Sequence, residues 1–504
     1  MDTFKTKNGS VRGFRASADV VAVLGIPYAA PPFGANRFRE PLPAPTWTGV
    51  REGTGFGPIS PQSARLPGAP VWSPGDEDIL TVNLWTPSPD GGRLPVLVWI
   101  HGGSYTFGSS AQPDFDGTVL ARAGLVVVTL NYRIGFEGFG HVPADGEIAS
   151  PDNRGLLDQV AALRWVRENI AAFGGDPDNV TIAGQSSGAA SVACLMVMDR
   201  ARGLFHRVIA HSPASPCYTH DIAAATTREV AAAAGCPATS EGLASATPQA
   251  LVVAADQVVD HYRRDPASGS RHYDPSLYAP VLDGDVLPTD PLTGMAAGAT
   301  RDVDLLVCHT TEEYWLLDAV GSSAKVTTDE QLARFAEDFG LPDGLVAGYR
   351  AAMPQATVLD VYLAIYSDLL FGEYGNRLAE LHAQAGGRAF LSRFDRRRTD
   401  PHGVVRAWHC ADVPFAFGNL DDERLAFLIG GAPTTADQGL ARRMVRAWAD
   451  FAATGSPGWP PVCGSTTEVK MWSTDNHADA DTDDKPAAAV RALWAKAEFP
   501  VVCP

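Results

Sequence analysis

The segment Gly184–Gly188 reads Gly-Gln-Ser-Ser-Gly, the GxSxG pattern of a nucleophilic serine on a sharp turn. The β-branched run Val180–Ala183 precedes it, and the segment Ala189–Val197 that follows has a helical pattern. A turn at this junction exposes the side chain of the middle residue, Ser186, while the flanking glycines allow the backbone to pack closely. GxSxG also occurs by chance in many proteins, but the strand, turn and helix context favours a catalytic serine.

A second glycine-rich segment, His101–Ser104, directly follows the predicted strand Pro95–Ile100. Backbone N–H groups in such a loop can stabilise an oxyanion, and we expect Gly103 and Ser104 to supply two of them. The amide of Ser187 is a third expected donor, because it stands at the N-terminus of the predicted helix. An isolated His-Gly-Gly sequence can also be a plain turn at a strand end. The histidine of this segment is expected to be a hydrogen-bonded loop residue and not a base.

A serine nucleophile also needs an acid and a base. Where the serine stands on such a turn between a strand and a helix, the acid and the base follow it in the order Asp or Glu, then His. Among the later histidines, His409 is favoured because it lies between the predicted strand Ala389–Phe394 and an aromatic, proline-containing segment. The acid candidates are Glu312 and Glu313, which follow the predicted strand Leu305–Cys308. The pattern alone leaves both open, and either glutamate could instead be a solvated charge.

The elements around these residues alternate between strand and helix patterns. The strands are short and apolar, the intervening helix ends at a glycine pair, and later segments at about 220–300 and 320–385 are mainly helical. This alternation predicts an α/β fold with a central, mostly parallel sheet flanked by helices. No linker divides the chain, so we expect residues 1–504 to form one domain with helical insertions over the pocket. Further predicted elements are the strands Ile79–Trp85, Leu125–Leu130 and Asn179–Ala183 and the helices Asn153–Phe173, Ile222–Ala234 and Gly439–Ala453.

Composition excludes several classes of protein. Hydrophobic residues make up 45% of the 504 residues and charged residues only 19%, which rules out general disorder. The net charge of −18 disfavours binding to nucleic acid or to an anionic membrane. The longest apolar runs are far shorter than the roughly 18–20 residues that cross a bilayer, so no membrane span is expected.

The seven cysteines show no CxxC pair or other tight ligand spacing, so neither a metal site nor a cofactor is expected. A disulfide between Cys217 and Cys236 is left open. The N-terminal residues lack the apolar region of a secretory signal, which favours a cytoplasmic enzyme with reduced thiols. Secretion would need a signal that this sequence does not contain. A monomer or a small homo-oligomer is expected.

Further motifs occur in a fixed order along nearly the whole chain. They are Gly25–Ala29, Arg37-Phe38, Glu77-Asp78, Asn83–Trp85, His101–Gly103, Asn131–Arg133, Asp152–Gln159 and Asn169–Pro177. With the GxSxG segment they resemble the type B carboxylesterase/lipase family, which includes bacterial p-nitrobenzyl esterases and the cholinesterases. The resemblance implies the α/β-hydrolase fold. It also implies roles for individual residues: Ser186 as nucleophile, Glu313 as acid, His409 as base, the amides of Gly103, Ser104 and Ser187 as oxyanion donors, and Ser212 as a buried supporting serine.

The sequence departs from the family pattern at several positions. Gln185 replaces the usual Glu before the nucleophile, which should weaken attraction for cationic groups. Tyr314 replaces the Gly after the acid, and Ser104 replaces a smaller or apolar residue, and both changes are expected to narrow the pocket. Ile79 stands where many secreted members have a Cys, so their first disulfide loop is absent.

The expected activity is hydrolysis of small to medium apolar or aromatic esters through an acyl-enzyme, with a small-molecule ester as the only required partner. One alternative is an acyltransferase that uses the same triad. Another is a non-catalytic binding protein of the same fold, against which the complete triad argues. Side chains expected to line the pocket, with ordinary core positions as the alternative for each, are Tyr105, Phe107, Trp315, Phe371 and Phe417.

Overall fold

The computed structural model describes residues 2–63, 71–87, 92–145, 150–214, 217–273, 276–400, 403–463, 469–474 and 485–499. Within them the largest sheet has ten strands. In chain order these are β1 (Phe14–Arg15), β2 (Val21–Pro27), β3 (Thr81–Thr86), β4 (Leu94–Ile100), β5 (Val126–Leu130), β6 (Gly175–Gln185), β7 (Arg207–His211), β8 (Asp304–Thr310), β9 (Ala389–Phe394) and β10 (Val469–Trp472).

The strand order across this sheet is β10-β9-β8-β7-β6-β4-β5-β3-β2-β1. Every neighbouring pair from β10 to β5 is parallel, and the pairs from β5 to β1 are antiparallel. The central, mostly parallel sheet expected from the sequence is therefore confirmed. Shorter strands pair outside it: Thr3–Lys5 with Ser10–Arg12 and that strand with Val50–Glu52, Tyr218–Thr219 with Val281–Leu282, and Arg398–Asp400 with Gly403–Val405.

Helices connect the strands and fill the two insertions. In chain order they are α1 (Thr118–Arg122), α2 (Gly135–Phe139), α3 (Arg154–Asn169), α4 (Ser187–Val197), α5 (His220–Ala234), α6 (Ser240–Ser245), α7 (Pro248–Arg264), α8 (Ser270–Tyr273), α9 (Pro291–Ala296), α10 (Trp315–Ala319), α11 (Asp329–Asp338), α12 (Leu345–Ala352), α13 (Val358–Ser367), α14 (Glu373–Gln384), α15 (Val413–Phe417), α16 (Ala426–Ile429), α17 (Thr435–Thr454) and α18 (Lys485–Leu493). The helical character expected at about 220–300 and 320–385 matches α5 to α9 and α11 to α14.

The sheet is buried on both faces because its strands are apolar at successive positions. In β4, Val96 and Val98 point into the core that contains α3 and α4, whereas Leu97 and Trp99 point into the core that contains α17. This alternation follows from the two-residue period of a strand, which sends successive side chains to opposite faces. No helix among the described residues is long and apolar enough to span a membrane.

Two sequence expectations change at the level of detail. The strand predicted at Asn179–Ala183 extends over all of β6, and the helix predicted from Ala189 begins two residues earlier. The turn predicted between them is thus compressed to Ser186 alone. Cys217 and Cys236 are both free thiols, so the disulfide left open from the sequence is not present.

Candidate active site

Ser186 stands between the end of β6 and the start of α4 with φ 57° and ψ −124°. This backbone conformation is rare for a residue with a side chain, and the surrounding structure must hold it in place. The Ser186 amide donates to the carbonyl oxygen of His211 at 2.9 Å. A Cβ at Gly188 would lie 2.1 Å from the carbonyl oxygen of Ile100, so only glycine lets the helix approach β4 this closely. The strained turn expected for a nucleophilic serine is present.

Glu313 and His409 form a buried pair beside this turn. The Nδ1 atom of His409 lies 2.5 Å from Oε2 of Glu313. The other oxygen, Oε1, accepts hydrogen bonds from Ser212 Oγ at 2.6 Å and from the Thr310 amide at 2.7 Å. Three donors therefore hold the carboxylate of a residue whose side chain is 1% exposed.

The neighbouring glutamate points elsewhere, which resolves the choice that the sequence pattern left open. Glu312 accepts hydrogen bonds from Arg397 at 3.0 Å, from Arg406 at 2.5 Å and from the Ala407 amide at 3.1 Å. It is thus engaged in a cluster of ion pairs. Of the two acid candidates, the structure places only Glu313 against the imidazole.

The second nitrogen of the imidazole has a partner that sequence reasoning missed. Gln185 Nε2 lies 2.9 Å from His409 Nε2, and since an amide nitrogen can only donate, the histidine nitrogen accepts. This contact fixes the tautomer in which Nδ1 carries the proton towards Glu313 and Nε2 carries the lone pair. Within the described residues no hydrogen bond joins His409 to Ser186 Oγ. The sequence signal that could have indicated the contact between Gln185 and His409 was the Gln at position 185, where the family usually has Glu.

Opposing effects act on the pKa of His409. Burial lowers the pKa, whereas the adjacent Cys410 and the Glu313 carboxylate raise it, and the net shift is well above the usual value. The neutral form of His409, which accepts from Gln185, therefore predominates only at pH values above this raised pKa. His101, by contrast, is neutral because burial lowers its pKa to about 4, and its Nδ1 contacts the Gly102 carbonyl oxygen. It is a loop residue, as expected.

The glycine-rich loop after β4 has positive φ angles at successive residues. Gly103 has φ 116°, and a Cβ there would lie 1.9 Å from the Phe107 carbonyl oxygen, so the position tolerates only glycine. Ser104 has φ 51°, and its side chain is exposed. None of the hydrogen bonds between described residues uses the backbone N–H of Gly103 or Ser104. The Tyr105 amide donates to Ser187 Oγ at 3.3 Å and thus ties the loop to α4.

The expected pocket residues separate into two groups. Phe371 lies beside the expected base, with its ring tilted by 35° and its centroid 4.4 Å from that of His409. Phe107 lies half-buried in the glycine-rich loop, whereas Tyr105 is 4% exposed and its ring packs 4.4 Å from Phe139 in the core that contains α3 and α4. Phe417 instead packs 4.9 Å from Trp99 in the core on the α17 side of the sheet, where it is 1% exposed.

Trp315 also lies away from Ser186. It borders a separate cavity of about 520 Å³ together with Glu312, Asp360 and Arg406. The Arg406 guanidinium lies 5.0 Å from the Trp315 ring. The structure therefore does not support a place in the substrate pocket for Trp315 or Phe417.

A second buried histidine and carboxylate lie behind the first pair and were not found from the sequence. His211 Nδ1 lies 2.7 Å from Asp412 Oδ2, and Trp448 Nε1 donates to His211 Nε2 at 2.8 Å. Cys308 brings its sulfur close to the same two residues. This cluster has the residue types of a metal site, but both imidazole nitrogens are already engaged, so it does not fit a metal.

Comparisons with known proteins decide the family. The profile of the Carboxylesterase family matches residues 2–486. The chain belongs to this family. It is 35% identical to the para-nitrobenzyl esterase of Bacillus subtilis, over 95% of this chain and 96% of that protein. It is 34% identical to the phenmedipham hydrolase of Pseudarthrobacter oxydans, over 93% and 92%. The solved carboxylesterase EST55 of Geobacillus stearothermophilus is 35% identical with a TM-score of 0.84, over 98% of this chain and 100% of that one.

This carboxylesterase therefore has the α/β-hydrolase fold and is a serine ester hydrolase, as the sequence indicated. Three of its candidate site residues follow the carboxyl ends of parallel strands. Ser186 follows β6, Ser212 follows β7 and Glu313 follows β8. Ligands of open α/β sheets bind at this edge, because the loops after the strands converge there.

Proposed function

We propose that Ser186, Glu313 and His409 are the catalytic triad of this carboxylesterase. The observation that carries the proposal is the buried 2.5 Å contact between Glu313 and His409 beside a serine with a positive φ. Glu313 keeps the imidazole in the tautomer that can act as a base, and it stabilises the imidazolium that forms during the reaction.

Each step of the proposed reaction uses a group described above. Ser186 Oγ attacks the ester carbonyl carbon while His409 Nε2 takes its proton, and the amides of Gly103, Ser104 and Ser187 stabilise the oxyanion. The imidazolium then gives its proton to the leaving alcohol, and the acyl-enzyme remains. Water attacks this ester with the same base, which releases the acid and restores Ser186. Gln185 must release Nε2 before the first proton transfer.

The preferred substrates are apolar or aromatic esters of small to medium size. Support comes from Phe371 beside the proposed base and from Phe107 in the loop that carries the proposed oxyanion donors. Gln185 carries no charge, so a cationic alcohol gains no ion pair at this position. The names of the para-nitrobenzyl esterase and the phenmedipham hydrolase fit a preference for aromatic substrates.

We further infer that residues 1–504 form one catalytic domain whose insertions at about 220–300 and 320–385 cover the pocket. The described cysteines are free thiols, which supports a reducing, cytoplasmic compartment. We expect a monomer or a small homo-oligomer.

The test begins with a fluorophosphonate, which is expected to form one adduct on Ser186 that mass spectrometry locates. Ser186→Ala should abolish labelling and lower kcat for a p-nitrophenyl ester by about 10⁴–10⁶, because only the oxyanion donors and binding then remain. Near-native turnover by Ser186→Ala would contradict the triad. Ser456→Ala is the matched control, because this exposed serine follows α17 and takes no part in the proposed site.

Product analysis with an added alcohol distinguishes hydrolysis from acyl transfer. A hydrolase should yield mainly the free acid at modest alcohol concentration, since water attacks the acyl-enzyme. Formation of the new ester as the main product would favour the acyltransferase alternative.

A further inference from the structure

Three side chains outside the proposed active site bring metal-binding atoms together. One ring nitrogen each of His141 and His220 and one carboxylate oxygen of Asp152 all lie within 4.8 Å of one another. His141 Nδ1 lies 3.1 Å and 3.2 Å from the two oxygens of Asp152. The rings of His141 and His220 meet edge to face, with centroids 4.4 Å apart.

The residue types indicate which ion fits. Two imidazoles and one carboxylate are a common set of protein ligands for Zn²⁺, with a water molecule in the fourth position. Calcium and magnesium prefer oxygen ligands and are disfavoured by two nitrogens. We propose that His141, Asp152 and His220 bind one zinc ion or a similar divalent transition metal.

Two of the three ligands stand on backbone that is already held. The Thr227 hydroxyl, from α5, donates to the His141 carbonyl oxygen at 2.7 Å. Next to Asp152, the Asn153 side chain donates to the Val281 carbonyl oxygen at 2.8 Å and accepts from the Val281 amide at 2.7 Å. These bonds hold the backbone at His141 and next to Asp152 before any metal arrives, which lowers the cost of ordering the site.

The third ligand has the freedom to complete the site. His220 is the first residue of α5, and it is exposed. Zinc bonds of about 2.0–2.1 Å in tetrahedral geometry place ligand atoms roughly 3.3 Å apart. The three ligand atoms already lie within 4.8 Å of one another, so a small rotation of the His220 side chain brings its ring nitrogen to the distance that zinc requires. Its exposure also leaves access for the ion and for a water ligand.

The other cluster of metal-binding residue types, around His211, offers no free nitrogen to an ion. Trp448 donates to one nitrogen of His211 while the other faces Asp412, so no lone pair remains for an ion. Around His141 and His220 no such indole closes the site among the described residues. An ion bound here would join α5, the first helix of the insertion at about 220–300, to the segment that precedes α3.

Metal-depleted enzyme is titrated with ZnCl₂ at neutral pH, and bound zinc is measured by equilibrium dialysis and elemental analysis. We expect one zinc ion per chain and a rise in the thermal midpoint, because a ligand that binds only the folded state stabilises it. His220→Ala should weaken binding by at least about 100-fold, the upper end of the loss caused by removing an outer-shell partner of a metal ligand. His141→Ala should do the same.

His261→Ala is the matched control, because this exposed histidine lies on α7 away from the cluster, and it should bind zinc like the wild type. Esterase activity and the metal-free thermal midpoint verify that each variant folds. Cobalt titration identifies the ligand type, since nitrogen and oxygen ligands give no thiolate charge-transfer band. Absence of stoichiometric zinc in the wild type, retention of zinc by both histidine variants, or a thiolate band from the cysteines would each overturn the proposal.

Discussion

Two buried histidine and carboxylate pairs lie close together in this enzyme, and they differ in what the second nitrogen meets. In the pair of His409 with Glu313, Nε2 faces Gln185 beside the nucleophile. In the pair of His211 with Asp412, Nε2 accepts the indole N–H of Trp448. A Gln side chain can rotate away, whereas an indole packed in the core cannot. We therefore expect the pair of His409 with Glu313 to serve as a base and the pair of His211 with Asp412 to serve as a structural contact.

The two carboxylates differ in the same sense. Glu313 accepts from Ser212 and Thr310 in addition to the imidazole. Asp412 is 0% exposed, and its Oδ1 has no hydrogen-bond partner among the described residues. Glu313 is therefore held by three donors, whereas one oxygen of Asp412 is left without a partner among the described residues.

The largest expected effect is a difference in esterase activity between variants of the two pairs. His409→Gln should lower kcat/KM for a p-nitrophenyl ester by about 10⁴, because the base is lost while the fold keeps its packing. His211→Gln should retain activity within about tenfold, since its imidazole takes no part in the proposed proton transfer. Steady-state kinetics on both variants, with circular dichroism to verify folding, makes the comparison. Equal losses in the two variants would remove the distinction between a catalytic and a structural pair.

The next effect separates the pairs by stability. His211→Leu should lower the free energy of unfolding by about 3–5 kcal/mol, because it leaves Asp412 as an uncompensated buried charge. The double variant with Asp412→Leu should recover most of that loss, since well-packed apolar residues can replace a buried pair. Urea midpoints measure both. At the other pair, combining His409→Leu with Glu313→Leu should leave the enzyme inactive. A double variant at 211 and 412 no more stable than His211→Leu would assign the pair a role beyond packing.

The difference between the pairs also shows which features of the site can be predicted from the sequence. Ser186 was predictable because a local pattern, a strand, a turn and a helix, determines its backbone conformation. The choice of Glu313 over Glu312 did not follow from the local sequence. It depends on Arg397 and Arg406, which pair with Glu312 and lie in a distant part of the chain. Only the family resemblance indicated it before the structure did.

The pocket residues show the same limit. Phe371 and Phe417 are both aromatic residues near site motifs, and no sequence pattern distinguishes them. One lies against His409, whereas the other packs on Trp99 in the core on the α17 side of the sheet, because the short helix α15 turns its ring inward. The sheet, its parallel order and the helical insertions follow from local patterns. The face on which a loop side chain lands depends on tertiary packing.

A smaller effect tests the indole that closes the structural pair. Trp448→Phe keeps an aromatic ring but removes the donor to His211 Nε2. An unsatisfied buried acceptor costs about 1–3 kcal/mol, so unfolding should need correspondingly less urea, while kcat changes little. The matched variant Trp472→Phe alters a nearby tryptophan ring, 5.8 Å from Trp448, without removing a donor to a histidine. If both variants lose the same stability, ring volume and not the hydrogen bond explains the loss.

The smallest effect concerns Gln185, which distinguishes the catalytic pair from the closed one. Donation to the Nε2 lone pair favours neutral His409, so Gln185 opposes the upward pKa shift that Cys410 and Glu313 produce against the effect of burial. Gln185→Glu puts a negative charge at the same distance and favours the imidazolium, which cannot accept the serine proton. The acid limb of the kcat/KM profile should therefore move to higher pH by about 1 unit, so that activity below the limb falls about tenfold. Gln185→Met removes the donor without adding a charge and should move the limb less, in the same direction. The order Glu, then Met, then Gln, from the highest to the lowest limb, follows only if this side chain contacts the base in the working enzyme, and an unshifted limb in the Glu variant would show that it does not.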